Sequence, residues 1–181
     1  MLPSDIKKQI FQSLPKSVVI GSTEFQAWID YADRINVSEK LKDPDYHIVV
    51  TLRYFADKRD EKHSPINQLF KKEIVDPDIK YTRGERAVIT LSINVHAKGD
   101  SNIPAADIVD AYMDQLLVWY LKDLPGIDNI EIAGRSEIND LSYLEDGLTR
   151  RQLDILIRYM IQYQETVITI ETVEHTTDVQ S

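Results

Sequence analysis

The clearest pattern along the chain is a strict alternation of apolar and polar residues over positions 87–97. Four apolar side chains fall on one side of an extended segment: Ile89, Leu91, Ile93 and Val95. The polar residues between them fall on the other side: Thr90, Ser92, Asn94 and His96. Residues 46–55 alternate in the same way. Because successive side chains of a strand point to opposite faces, both segments are predicted to be half-buried strands, with His47 and His96 as surface histidines.

The second half of the chain adds a longer alternating segment at residues 149–163. At about 3.3 Å per residue such a strand reaches about 50 Å, more than one small sheet requires, so it is predicted to project beyond the core or to bend. Shorter strands are predicted at residues 127–133 and 167–173, with a break at Gln164 and Glu165.

Helical spacing is strongest at residues 105–122, where apolar side chains recur every three or four positions. A shorter helix is predicted to begin at Ser4, whose hydroxyl would cap it, and to end before Pro15. The segment from Thr23 to Ile35 also favours a helix, although residues 28–31 would suit a strand.

These elements predict a single α+β domain over residues 1–181. The expected core is an antiparallel sheet of about four to five strands, with one long and one short helix packed on one face. The polar stretch 57–86 is interpreted as an extended hairpin or flap, containing at most one helical turn, because structureless loops of this length are uncommon. Residues 175–181 are expected to form a loose tail.

Acidic residues follow one side of the long predicted helix. Asp107, Asp110 and Asp114 lie opposite its apolar face, which favours a solvated surface and leaves a divalent-cation site as an alternative. A second acidic group lies in one loop and could hold Ca²⁺, although it lacks EF-hand spacing: Glu137, Asp140, Glu145 and Asp146.

Charge is distributed unevenly along the chain. Residues 1–99 carry 16 basic and 14 acidic side chains, a net charge of +2, whereas residues 100–181 carry 5 basic and 16 acidic side chains, a net charge of −11. This balance argues against nucleic-acid binding through a basic face. Arg150, Arg151 and Arg158 stand out within the acidic half and are candidates for ion pairs between subunits, with rim salt bridges as the alternative.

Features of common catalytic and metal sites are missing from the sequence. The chain has no cysteine, no closely spaced histidine pair and no glycine-rich phosphate loop. No activated nucleophile and oriented base can be assembled locally, so the chain is predicted not to be an enzyme and to need no metal or cofactor. No apolar run approaches the ~18–20 residues of a membrane span. Because the chain has no cysteine, a cytoplasmic protein or a particle assembled in the cytoplasm is expected.

One set of segments resembles a known family. It comprises the strand at residues 86–96, the helix that follows, Ile130-Glu-Ile-Ala-Gly134, an acidic loop, the strand that opens with Arg150-Arg151, and the Glu-Thr-rich ending at residues 165–174. Together they resemble the neck or tail terminator proteins of contractile- and siphon-tailed phages. The resemblance covers residues 46–56 and 85–174, and the chain departs from it at 22–42 and 57–84.

The resemblance implies a virion protein, assembled in the host cytoplasm, that caps the head-proximal end of the tail tube as a hexameric ring. Its expected partners are further copies of itself, the tail tube protein and the neck or connector proteins, and DNA would pass without specific binding. Another tail, baseplate or head-completion protein is the first alternative, and a small-ligand-binding or enzymatic α+β domain is the second.

Within this interpretation, candidate residues fall into two groups. Four are candidates for contacts between subunits: Arg150, Arg151, Arg158 and Glu171. Five are candidates for an acidic face that lines the lumen and repels phosphates: Asp107, Asp110, Asp114, Glu145 and Asp146.

Overall fold

The alternating segments form long strands in the computed structural model, which describes residues 2–55, 58–59, 67–75, 78–142 and 148–167. The strands are β1 (Ser17–Ile20), β2 (Thr23–Tyr31), β3 (Ile48–Tyr54), β4 (Lys58–Arg59), β5 (Gln68–Val75), β6 (Asp78–Ala97), β7 (Ile130–Arg135), β8 (Asn139–Asp140) and β9 (Thr149–Val167). The helices are α1 (Ser4–Ser13), α2 (Val37–Lys40) and α3 (Ala105–Lys122), and a 3₁₀ turn follows at Leu124–Gly126.

All nine strands belong to one curled sheet with the order β1-β2-β3-β6-β9-β7. The three remaining strands join its longest members: β4 and β5 pair with β6, and β8 pairs with β9. Every pairing is antiparallel except that of β2 with β3. The pairing of β6 with β9 is the longest and is unbroken from Ile79 opposite Val167 to Ala97 opposite Thr149.

The predicted antiparallel sheet of four to five strands is therefore wrong. Half of the described residues, 51%, are in strands, and the sheet is mixed and curls into a half-barrel. The sequence pattern missed four strands for identifiable reasons, and β5 falls in the segment interpreted as a hairpin or flap. The two-residue strands β4 and β8 are too short to show alternation and are defined only by their partners. The short apolar run of β1 predicts no element, and the spacing of β2 favours a helix.

The main core lies between one face of this sheet and the helices α1 and α3. Both helices bury one side: Ile6 and Ile10 from α1, and Ile108, Val109, Tyr112, Met113, Leu116 and Trp119 from α3. The sheet contributes the apolar side chains predicted from the alternation in β6, including Leu91 and Ile93, which are fully buried. Two large side chains place their polar atoms on the α1–β1 connection. Trp119 Nε1 donates to Ser13 Oγ at 2.9 Å, and the Tyr112 hydroxyl donates to the Pro15 carbonyl at 2.7 Å.

The opposite face of the sheet is also buried at its centre, and its side chains are mainly polar. The buried polar residues there are Thr51, Ser92, Asn94 and His96. The prediction that His96 lies on the surface is thus wrong, since only 3% of it is exposed. A second short helix, α2, is fixed by the cation–π contacts of Lys40, whose Nζ lies 3.9 Å from the Trp28 ring and 4.4 Å from the Tyr46 ring.

Several local predictions are corrected by pairing with distant segments. Residues 23–31 form β2 rather than a helix because they pair with both β1 and β3. The predicted break at Gln164 and Glu165 is absent, since these residues continue β9 opposite Thr82 and Tyr81. Ser4 is the first residue of α1 rather than its cap, which is Pro3. The part of the predicted final strand beyond Val167, and the tail at 175–181, lie outside the described residues.

Gly84 permits a close approach between β6 and β9. A Cβ atom added at this position would overlap the carbonyl oxygen of Ile161 and would lie 2.8 Å from Gln162 Cα. These neighbours are backbone atoms of a paired strand, so they cannot rotate away as a flexible side chain could.

We expect Gly84→Ala to loosen the pairing of β6 with β9 around Ile161 and to lower the free energy of unfolding by about 1–3 kcal/mol, the usual cost of overpacking. Hydrogen exchange of the β6 and β9 amides and urea unfolding measure the two effects. Gly126→Ala is the matched control, because no atom lies within 4 Å of its added Cβ. Equal protection of these amides from hydrogen exchange in both variants would contradict the prediction that β6 and β9 require a glycine at position 84.

Candidate interaction surfaces

Three strands continue past the part of the sheet that the helices cover. We call this segment the ribbon: β5, residues 78–84 of β6 and residues 161–167 of β9. All seven of these β9 residues are exposed. Among the described residues, no strand pairs with the outer edge of β9 from Met160 to Val167, because β7 pairs only as far as Tyr159. An edge of this kind presents backbone N–H and C=O groups to which another strand can pair.

One face of the ribbon is rich in exposed apolar side chains. The register places Ile74, Ile79 and Val167 side by side at its far end. We call the exposed members of this face the ribbon stripe: Leu69, Ile74, Ile161, Tyr163 and Val167. The largest exposure is that of Ile74, at 78%. Lys72 and Glu165 lie on the same face between its two ends, so charged side chains interrupt the ribbon stripe. Several large apolar side chains exposed on one face of a folded domain are typical of a surface that another molecule covers.

Arg150 is held by hydrogen bonds within its own chain, on the polar face of the sheet. Its Nε and Nη2 donate to Asn94 Oδ1 at 3.1 and 2.9 Å, and its backbone N–H donates to Ser142 Oγ at 3.0 Å. These bonds help to satisfy Asn94, which is buried in β6.

Arg151 and Arg158 also have carboxylate partners in the same chain. Arg151 Nε lies 3.0 Å from Asp110 Oδ1, and its Nη1 lies 2.7 Å from Asp140 Oδ1, so it joins α3 to β8. Arg158 Nη1 lies 2.8 Å from Glu131 Oε1 on β7. The pKa of Asp140 is lowered, first by hydrogen bonds from the Ser142 N–H and hydroxyl and then by the charge of Arg151. These pairs join elements of the same chain, and a role of these arginines between subunits stays a prediction.

The outer side of α3 presents a line of exposed residues at helical spacing. We call it the α3 stripe: Asp107, Asp110, Asp114, Val118 and Leu121. The three aspartates lie opposite the buried side of the helix, as their spacing predicts. The sequence analysis does not identify the apolar end of the α3 stripe, because it places Val118 and Leu121 on neither the apolar nor the acidic side of the helix. Leu121 is 72% exposed.

A cleft of about 630 Å³ opens beside the first turns of α1 and the ends of the parallel strands β2 and β3. We call it the basic cleft because its charged lining residues are Lys7, Arg34, Arg53 and a single carboxylate, Asp33. Each cation lies over an aromatic ring. Lys7 Nζ is 5.0 Å from Tyr54, and the guanidinium carbons of Arg34 and Arg53 are 5.1 Å from Tyr31 and 5.3 Å from Phe55.

The basic cleft was not anticipated from the sequence. Its cations come from α1, from the loop after β2 and from β3, and no local spacing links these positions. The only sequence signal was the net positive charge of residues 1–99, which does not indicate where the cations meet.

Glu145, Asp146 and Glu171 lie outside the described residues, so the loop that was considered for Ca²⁺ is described only in part. Within the described residues no three histidine, aspartate or glutamate side chains come together as a metal site. In the same part of the chain, no helix combines the length and apolar character needed to cross a membrane.

Comparison of the chain with protein-family models and with curated proteins returns no match.

The Arg151 bridge should appear as a coupling between Arg151 and Asp110. We expect Arg151→Ala and Asp110→Ala to show a coupling free energy of about 0.5–1 kcal/mol in a double-mutant cycle, the range for partly exposed pairs. Urea unfolding at 20 mM and 500 mM salt measures it, and the coupling should shrink at high salt because ions screen exposed charges. Asp107→Ala, on the same helix but unpaired with Arg151, is the control. If the effects of the two substitutions on the free energy of unfolding simply add at low salt, the Arg151–Asp110 ion pair does not contribute to stability and the prediction is wrong.

Two buried tyrosines provide a matched pair for stability. The Tyr54 hydroxyl is buried beside the basic cleft with no hydrogen-bond partner among the described residues, whereas the Tyr112 hydroxyl bonds Pro15. Burial raises the pKa of both hydroxyls. We expect Tyr112→Phe to lower the free energy of unfolding by about 1 kcal/mol, because it removes the hydrogen bond to Pro15. Tyr54→Phe should leave the free energy of unfolding unchanged or raise it, because it removes a buried hydroxyl that has no partner among the described residues. Thermal unfolding of the two variants measures this difference, and the opposite order would refute it.

Proposed function

We propose that this chain is a structural virion protein, a tail terminator or neck component that caps the head-proximal end of a phage tail tube as a ring. The observation that supports this proposal most directly is the ribbon, in which β9 has an edge that no described strand pairs with, next to the exposed apolar ribbon stripe. The resemblance of residues 46–56 and 85–174 to this family supports the same assignment.

A ring protein needs surfaces that join each copy to the next. Strand addition to the open edge of β9 would supply main-chain hydrogen bonds, and pockets for alternate side chains would supply specificity. Covering the ribbon stripe would remove apolar area from water, which contributes about 25 cal/mol per Å². A contact between two different surfaces repeats head to tail and closes into a ring when the rotation permits.

The proposed hexamer also accounts for the acidity of the second half of the chain. An axis lined by acidic or neutral side chains attracts phosphates weakly, so DNA would pass through without adhering. In this proposal the partners are further copies of the chain, the tail tube protein and the neck or connector proteins, and the protein carries out no catalysis.

Assembly of the purified chain tests the proposal directly. We expect rings in mass photometry and negative-stain electron microscopy at micromolar concentration, or on addition of tail tubes as templates, with rings at one end of each tube. Ile74→Lys and Val167→Lys in the ribbon stripe should reduce assembly by at least ten-fold, because burying an unpaired charge is costly. Lys8→Glu, an exposed position on α1, is the control.

Particles that lack the chain separate this role from its alternatives. Overlong tails would support a terminator, whereas absent tails would indicate a tube or baseplate protein instead. A chain that stays monomeric at all concentrations and does not bind tube ends would refute the proposal.

A further inference from the structure

We infer that the basic cleft of one copy receives the α3 stripe of a second copy. This inference rests on the proposed ring and adds to the ribbon a second contact between neighbouring copies. The basic cleft is formed by residues of the first half of the chain, and the α3 stripe belongs to the second half. A contact between them therefore joins the two oppositely charged halves of neighbouring copies.

The cations of the basic cleft are available to an external carboxylate. Neither Lys7, Arg34 nor Arg53 forms an ion pair with a described residue, and their contacts are with aromatic rings. The aromatic rings hold the three cations near the opening of the basic cleft without neutralising their charge. An incoming carboxylate would thus find partly ordered donors, which lowers the entropy lost on pairing.

The α3 stripe matches the basic cleft in charge and in composition. It extends about 21 Å along one side of the helix, from Asp107 to Leu121, at 1.5 Å per residue. Asp107 and Asp114 have no ion pair in the described part of the chain, whereas Asp110 is paired with Arg151. Beyond the aspartates, Val118 and Leu121 offer an exposed apolar end, and the exposed Phe55 ring lies under Arg53 beside the cleft.

Long-range charge favours this head-to-tail contact over a symmetric one. Two α3 stripes placed against each other would bring six aspartates together, and like charges across an interface are strongly unfavourable. Placing the stripe against the basic cleft replaces this repulsion by attraction, and it generates a contact between two different surfaces, as a ring requires.

This assignment competes with the prediction from the sequence that the same aspartates line the lumen. Aspartates at a subunit contact control assembly, whereas aspartates in the lumen do not. Charge reversal therefore separates the two placements.

The experiment uses two variants with reversed charges on the full chain. The cleft variant carries Arg34→Glu and Arg53→Glu, and the stripe variant carries Asp107→Lys and Asp114→Lys, leaving the Asp110–Arg151 pair intact. Mass photometry and sedimentation at 50 mM and 500 mM NaCl measure the concentration at which half of the chains are assembled. Circular dichroism and thermal unfolding check that each variant is folded.

We expect each reversed variant alone to require at least ten-fold more protein for assembly than the wild type. Combining the two reversals in one chain should restore assembly, because the charges are then complementary again. Assembly of the wild type should weaken at 500 mM NaCl. The control carries Lys42→Glu and Asp45→Lys, at exposed positions outside both surfaces, and should assemble normally.

The possible failures are distinguishable. If both reversed variants assemble at the same concentration as the wild type, the inference is wrong and the proposed ring is unaffected. The aspartates would then line the lumen or lie on a free surface. Loss of assembly without rescue by the combined reversals would overturn the pairing of these two surfaces. A wild type that forms no ring, with or without tube ends, would overturn the ring and the inference together.

Discussion

The antiparallel pairing of β6 with β9 is the interaction on which the rest of the structure depends. It runs from Asp78–Ala97 to Thr149–Val167 without a bulge, so one register fixes the facing of every side chain along both strands. At one end the pair forms the centre of the sheet and carries the helices. At the other end the same register continues into the ribbon, where the start of α1 lies beside Ile161 and Gln162 and all described residues of β9 from Ile161 to Val167 are exposed. A one-residue slip would move Leu91 and Ile93 to the polar face and Asn94 into the apolar core, so the hydrophobic burial that stabilises the core also holds the ribbon in register.

The two faces of the sheet are stabilised by different interactions, apolar burial on one and hydrogen bonds between polar side chains on the other. On the helical face, Trp119, Tyr112 and their neighbours bury apolar area, and their polar atoms are satisfied by Ser13 and Pro15. On the opposite face, Asn94 is buried, and Arg150 Nε and Nη2 both donate hydrogen bonds to Asn94 Oδ1. A buried polar group left without partners costs about 1–3 kcal/mol. Arg150 is therefore explained by the fold itself, independently of any contact with a neighbouring subunit.

The elements that were predicted correctly are those whose signal is local. Apolar spacing alone defines α3, alternation defines β3 and the core half of β6, and Pro15 ends α1. The elements that were missed depend on distant partners. In β2, Phe25 and Ile29 suit a helix spacing and a strand alternation equally, and parallel pairing with β3 decides between them. His96 was placed on the surface because alternation reveals which residues share a face, but it does not reveal whether a face is covered.

The candidate surfaces also differ in whether the sequence carries a local signal for them. The aspartates of the α3 stripe could be located because one helix carries them all. The basic cleft could not, because Lys7, Arg34 and Arg53 converge only when α1 packs across the ends of β2 and β3. The asymmetry of charge along the sequence becomes an asymmetry of surfaces through the fold. The excess negative charge lies in the second half of the chain, where 16 acidic side chains face only 5 basic ones. The arginines that stand out there are already paired, Arg151 with Asp110 and Arg158 with Glu131. The first half carries 16 of the 21 lysines and arginines, and the basic cleft places three of them together, where an acidic neighbour from another copy could pair with them.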